Sequence, residues 1–215
     1  MVLIALFCLS AFALKVPATV NIGIGPTVGT MGNPQASQWS PSWGVALMAE
    51  GYVDRKTLHS KKVMRRVPKQ YRGMVRNMDD AHVVPLPALL LPDSLMLAPI
   101  GSPNVSILPV SWAPIELSVM HKTKGWHRTA GLQLRGAYLR TERANGYEGK
   151  GGWFGATLAT DIQSPYKERV GIALGGHAGP GAPLLDTKPL GIEAPWLNLG
   201  AYARLQLRFP IEVER

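Results

Sequence analysis

Any chemistry in these 215 residues must be carried by titratable or nucleophilic side chains. The histidines are His59, His82, His121, His127 and His177. No two of them stand four apart, as a helical zinc-binding pair would, and none neighbours a nucleophile in a recognisable arrangement. His177 sits in the run Gly-Gly-His-Ala-Gly-Pro-Gly, which is read as an open loop position with a solvated imidazole. Gly23–Gly29 spells G-x-G-x-x-x-G, but no helix follows, so it cannot seat a dinucleotide. Asp79-Asp80, at the end of a predicted helix, is read as surface charge. The one cysteine, Cys8, falls in a segment expected to be removed. The mature chain then has no disulfide framework, no cysteine nucleophile and no thiolate metal site. No catalytic residue, cofactor site or metal ligand is assigned, and the chain is read as a non-enzyme.

The charges are more informative. Arg55–Met78 carries Arg55, Lys56, Lys61, Lys62, Arg65, Arg66, Lys69, Arg72 and Arg76 and no acidic residue, which equals the formal net charge of +9 for the whole chain. Lys61, Lys62, Arg65, Arg66, Lys69, Arg72 and Arg76 are the candidates for contacting an anion: membrane lipid phosphates, an anionic envelope polymer or an acidic periplasmic protein. A solvated loop is the other account of such a run. Val67, Tyr71, Val75 and Met78 recur at helical spacing, and Lys69, Arg72 and Arg76 share another face. A short helix is therefore predicted near Pro68–Met78 and a weaker one near Thr57–Arg66.

The elements that must hold these charges are strands. In Asn198–Ile211, Leu199, Ala201, Ala203, Leu205, Leu207, Phe209 and Ile211 alternate with Asn198, Gly200, Tyr202, Arg204, Gln206 and Arg208. Only a strand sends alternate residues to opposite faces. The run is longer than the ~9–11 residues that cross a bilayer at a tilt. Similar alternation marks Thr19–Gly29, Trp43–Asp54, Trp112–Met120, Ala130–Thr141, Trp153–Ile162 and Arg169–His177, and Ser94–Ile100 is a further strand. Prolines at 85, 87 and 92 argue against a central strand before it. In several strands glycine, threonine and charge share the polar face, as a crowded lumen requires. Glu50, Glu116, Arg135, Asp161, Arg204 and Arg208 are the candidates for a lumen charge network. Arg204 and Arg208 are expected to meet Glu50 and Glu116, because an unpaired charge in a closed lumen is very costly.

These strands make an all-β, up-and-down antiparallel barrel of about eight strands, with a short basic helical insertion after the second. Residues 19–215 form the barrel domain and 55–80 the insertion. The N-terminal apolar run, with small residues at Ala11 and Ala13, predicts a signal peptide over 1–18, cut near 13 or 18. It lacks a basic flank, and a buried N-terminal strand is the alternative. No stretch is long and apolar enough for a membrane helix, a test that spanning strands escape.

With both termini on one side, the connections Met31–Ser42, Gly101–Ser111, Glu142–Gly152 and Ala178–Pro195 fall on the far side and read as long loops. His121–Arg128 and Ser164–Glu168, on the near side, read as short turns. On this strand pattern, loop asymmetry and signal, the chain resembles the small eight-stranded outer-membrane β-barrel proteins of Gram-negative bacteria. Their closing strand commonly ends in an aromatic residue. Phe209 matches, although Pro210–Arg215 follows it. The resemblance implies an outer-membrane location and a structural or interaction role, with membrane lipid as partner and no nucleic acid. A secreted or periplasmic soluble barrel binding a small apolar ligand is the second reading, and a lipid-modifying barrel enzyme the third. The faces discriminate: a soluble barrel turns its apolar set inward, a membrane barrel outward.

Overall fold

The structure, a computed structural model, describes residues 18–33, 38–53, 55–77, 81–83, 91–123, 125–143, 148–165, 168–184 and 196–211. The predicted signal segment up to residue 17, Asp79-Asp80 and the tail after Ile211 lie outside the described residues. The strands are β1 (Ala18–Asn33), β2 (Gln38–Val53), β3 (Ala81–Val83), β4 (Ser94–Pro99), β5 (Val105–Thr123), β6 (Trp126–Arg143), β7 (Glu148–Gln163), β8 (Val170–Pro183) and β9 (Trp196–Ile211). Between β2 and β3 stand α1 (Arg55–Leu58), α2 (Lys61–Arg66), a 3-10 turn (Lys69–Tyr71) and α3 (Arg72–Arg76).

The neighbours run β1-β9-β8-β7-β6-β5-β4-β2, and β1 also pairs with β2, so eight antiparallel strands close a ring. The closing seam joins β1 to β9 from Ala18↔Ile211 to Gly32↔Leu197, and closure removes both sheet edges. β3 is not a further stave. It adds to β2 at Gly51↔Val83, Tyr52↔His82 and Val53↔Ala81, while β4 takes the same edge of β2 higher up, from Ser42↔Pro99 to Ala46↔Ser94.

Through the middle of the barrel the apolar set faces out. Ile22, Ile24, Val28, Leu132, Phe154, Leu158, Ile162, Ile172, Leu174, Leu205, Leu207 and Phe209 are 40–69% exposed. The polar set faces in: Asn21, Thr27, Ser42, Ser94, Ser111, Arg135, Thr157, Asp161, Gln163, Arg204, Gln206 and Arg208 are buried. Trp43, Tyr138 and Phe154 stand outward towards the far end of this band, and Trp126 and Phe209 towards the near end, as aromatic girdles do.

Towards the far end the sense reverses. Met31, Val105, Ile107, Ala137, Leu139, Trp153 and Trp196 pack together inside, while Arg140, Glu142, Glu148 and Lys150 are exposed. That is the polarity of a barrel standing in water. The reversal explains why most of the expected far-side loops are absent. Met31–Ser42, Gly101–Ser111 and Glu142–Gly152 are largely strand, and the connections shrink to 34–37, 100–104 and 144–147. Only 184–195 is long. Pro109 lies inside β5 opposite Leu139. Ile107, two residues before it, donates its N–H to Ser40 Oγ at 2.6 Å, away from β6. The proline nitrogen shares that direction, so its missing proton costs the β5–β6 ladder nothing. On the near side β5 and β6 are joined through Lys124 and Gly125 alone. Gly125 takes φ of 86°, a conformation glycine adopts without steric cost.

The insertion is helical, but in shorter pieces than the spacing predicts. Pro68 begins the 3-10 turn and separates α2 from α3, since it cannot continue a helix. Ser60 caps α2, its hydroxyl accepting from the Val63 N–H at 3.3 Å. Leu58, Val63, Val67 and Val75 are buried, which gives these short helices a small apolar core to rest on.

Candidate functional site

Two regions collect the charged residues singled out above: the lumen and the helical insertion. In the lumen, Arg135 on β6 pairs with Asp93, Nη2 to Oδ2 at 2.5 Å. Its Nη1 donates to Ser111 Oγ at 3.0 Å, and Ser111 donates in turn to Asp93 Oδ1 at 2.9 Å. Arg135 Nη2 also reaches Gln133 Oε1 at 3.1 Å, and Gln133 Nε2 donates to Glu116 Oε2 at 2.8 Å. Arg135 thus reaches Glu116 through one amide. Asp93 is a lumen partner that the sequence pattern does not single out. It stands after Pro92, just before β4, where no alternation marks a face.

A second cluster spans β7, β8 and β9. Asp161 Oδ2 accepts from Tyr202 Oη at 2.7 Å and pairs with Arg204 Nη2 at 3.3 Å. The Arg204 guanidinium lies 3.9 Å from the Tyr202 ring centroid, a cation–π contact, and its Nη1 donates to the Leu47 carbonyl at 3.2 Å. The expected partners of Arg204 are Glu50 and Glu116; its ion pair is with Asp161. The reason lies in the strand between them. Gly175 pairs with Asp161 on one side and Tyr202 on the other, and a side chain there would collide with the tyrosine. The gap lets β9 side chains reach across β8 to β7. Glu50 accepts from Asn21 Nδ2 at 3.0 Å.

A third cluster closes the near mouth. Arg208 Nη2 donates to Gln206 Oε1 at 2.5 Å, to the Ser164 carbonyl at 3.0 Å and to Ser164 Oγ at 3.1 Å. Its Nη1 donates to the Pro165 carbonyl. Gln206 Nε2 reaches Gln163 Oε1 at 3.2 Å. Arg208 is therefore tied to the β7–β8 turn.

The histidines are dispersed. His127 is buried edge-on against Tyr52, centroids 5.5 Å apart. His177 lies in β8 rather than in an open loop, with Nε2 3.2 Å from Asn198 Oδ1. His59 Nε2 is 3.1 Å from the Val75 carbonyl. The side chains of His82 and His121 lie outside the described residues. Among the described residues, no group of three or more His, Cys, Asp or Glu side chains could hold a metal ion.

In the insertion, Lys61, Lys62, Arg65, Lys69 and Arg76 are exposed and Arg72 is half-buried. The Arg66 side chain lies outside the described residues. Lys61, Arg65, Arg72 and Arg76 line one open cavity of about 150 Å³ with Met64. Arg72 Nε donates to the Val67 carbonyl at 3.0 Å and Nη2 to the Arg65 carbonyl at 3.3 Å, which pins α3 to the end of α2.

With the fold in view, the chain can be set beside solved structures. Neisserial surface protein A superposes with a TM-score of 0.50 at 9% identity, over 88% of this chain and 97% of that one. The chain shares its fold. A major outer membrane protein from Thermus thermophilus aligns over 89% of this chain and 99% of that one, with a TM-score of 0.34 and 8% identity. No protein-family model matches the chain, and no curated protein matches it in sequence. At 9% identity the likeness to the neisserial protein is one of architecture: a closed, eight-stranded antiparallel barrel.

Proposed function

We propose that the protein is a non-enzymatic outer-membrane β-barrel with a structural or interaction role. Its near side lies in the periplasm, and its basic insertion contacts anionic lipid or an acidic partner. The observation that carries this reading is the exposed apolar belt around a polar, hydrogen-bonded middle. In water such a belt would be a large unpaired apolar surface; in a bilayer it is in its own solvent. The fold shared with a surface protein supports the same reading. A soluble apolar-ligand binder would need an open apolar interior. Here the largest apolar cluster of the interior lies at the far end and is filled, with Trp153 and Trp196 1% and 0% exposed.

The lumen is crossed by ion pairs and amide bonds at several levels, so the barrel is read as non-conducting. An eight-stranded barrel is just wide enough to be filled by its own side chains. Reconstituted into phosphocholine vesicles, the protein is expected to stay with the lipid through a high-salt carbonate wash and to leave the vesicles impermeant to small ions. Release by the wash would overturn the membrane reading. Ion leakage from intact vesicles would overturn the filled lumen.

A further inference from the structure

We infer that the basic insertion holds a discrete site for a phosphate group, formed by Lys61, Arg65, Arg72 and Arg76 around the cavity they line with Met64; this rests on the membrane reading above. Lys61 and Arg65 stand four apart on α2, and Arg72 and Arg76 four apart on α3. Like charges at that spacing repel, yet both pairs turn to the same hollow of about 150 Å³. No acidic residue occurs from Arg55 to Met78 to compensate them. An anion seated between the helices would convert that repulsion into attraction for all four side chains.

The chemistry of the hollow selects the anion. The hollow, about 150 Å³ and open to solvent, admits a phosphate. Guanidinium forks match phosphate oxygens in pairs. Arg72 is already oriented, because its Nε and Nη2 are held by the Val67 and Arg65 carbonyls. Less ordering is then needed on binding. Leu58, Val63, Val67 and Val75 are buried, so the cradle stands on packed helices. The insertion leaves β2 after Val53 and returns through β3 beside Val53. The cradle is therefore tethered at the near rim of the barrel, where in the membrane reading the phosphates of the adjoining leaflet lie. A lipid headgroup and free phosphate offer the same chemistry to it.

The test uses the full-length protein in uncharged detergent micelles at fixed ionic strength. It is titrated separately with inorganic phosphate, with dihexanoyl phosphatidylglycerol and with a short poly-glutamate peptide. Saturable one-site binding of either phosphate compound is expected, and which of the two binds more tightly tells headgroup from free phosphate. Lys61→Gln/Arg76→Gln, which leaves the two Arg72 bonds intact, should weaken binding at least tenfold. Lys62→Gln/Lys69→Gln, which removes the same charge outside the cavity, should change it less than twofold. Equal losses in the two double variants would show diffuse charge and overturn the site. So would non-saturable binding, or poly-glutamate binding as tightly through the same residues. Vesicle retention of both double variants reports on the barrel separately, so a failed cradle and a failed membrane reading give different results.

Discussion

Leu158→Arg separates lipid from water as the solvent of the belt, because the two predict different costs for one substitution. Leu158 is 69% exposed on the outer face of β7. It is flanked by Leu132 on β6 and Ala178 on β8. The outward residues of this strand run from Phe154 to Ile162. A strand rises about 3.3 Å per residue and tilts about 40° in such barrels, giving about 2.5 Å of height per residue. The eight steps from Phe154 to Ile162 then cover about 20 Å, close to the ~25 Å height of a lipid-facing band. Leu158 falls at the middle, about 10 Å from either end. An arginine at the bilayer midplane of a barrel costs about 2–4 kcal/mol. On a water-exposed surface the same change stays within about 0.5 kcal/mol. The assay is reversible urea unfolding from phosphocholine vesicles, followed by tryptophan emission. A loss of at least about 2 kcal/mol is expected, and the inward change Thr157→Ser should cost far less. A loss below about 1 kcal/mol would refute the placement of β7 in lipid.

Two further predictions concern the lumen and the seam. Arg204→Met leaves the Asp161 carboxylate buried without its cation and should cost about 3–5 kcal/mol. Combining it with Asp161→Asn should recover at least about 1 kcal/mol of the summed single losses, and strict additivity in the same unfolding assay would show that the pair does not act as a unit. Gly25→Ala would drive a methyl group into the Ala203 carbonyl and Arg204 Cα across the β1–β9 seam, where the pairing lapses between Ile24↔Leu205 and Thr27↔Tyr202. It should abolish closure, seen as loss of the folded band in unboiled samples. Gly73→Ala, in open space on α3, should leave that band unchanged, and a folded Gly25→Ala barrel would contradict the tight seam.

The strands are legible wherever one face meets a single solvent for its whole length. In Trp153–Ile162 and Asn198–Ile211 a period of two runs through the segment, and it reveals the strand and its two faces, though not which of them meets lipid. It fails where a strand passes out of the apolar belt. At Val105–Val110 the apolar Val105 and Ile107 move to the inner face and Pro109 completes the appearance of a loop, while Glu148–Gly152 has no apolar residue to mark a face. The lumen partners are legible as a set of inward charges but not as pairs. Pairing depends on a gap at Gly175 one strand away, which no local pattern encodes. Asp93 escapes for a similar reason, since it lies at the start of a short strand among prolines. In the insertion the charges and the Val67/Val75 spacing are plain. That Lys61, Arg65, Arg72 and Arg76 share a hollow follows from the fold-back at Pro68, which sequence periodicity does not report.

The central claim is that the apolar face of the barrel wall is solvated by lipid. Its most direct measurement is fractionation of cells making the full chain, with each fraction run boiled and unboiled on a denaturing gel. The account predicts protein in the outer-membrane fraction, insoluble in carbonate, whose unboiled form migrates apart from the boiled form as a folded barrel does. Carbonate-soluble protein with no heat-dependent shift would contradict it.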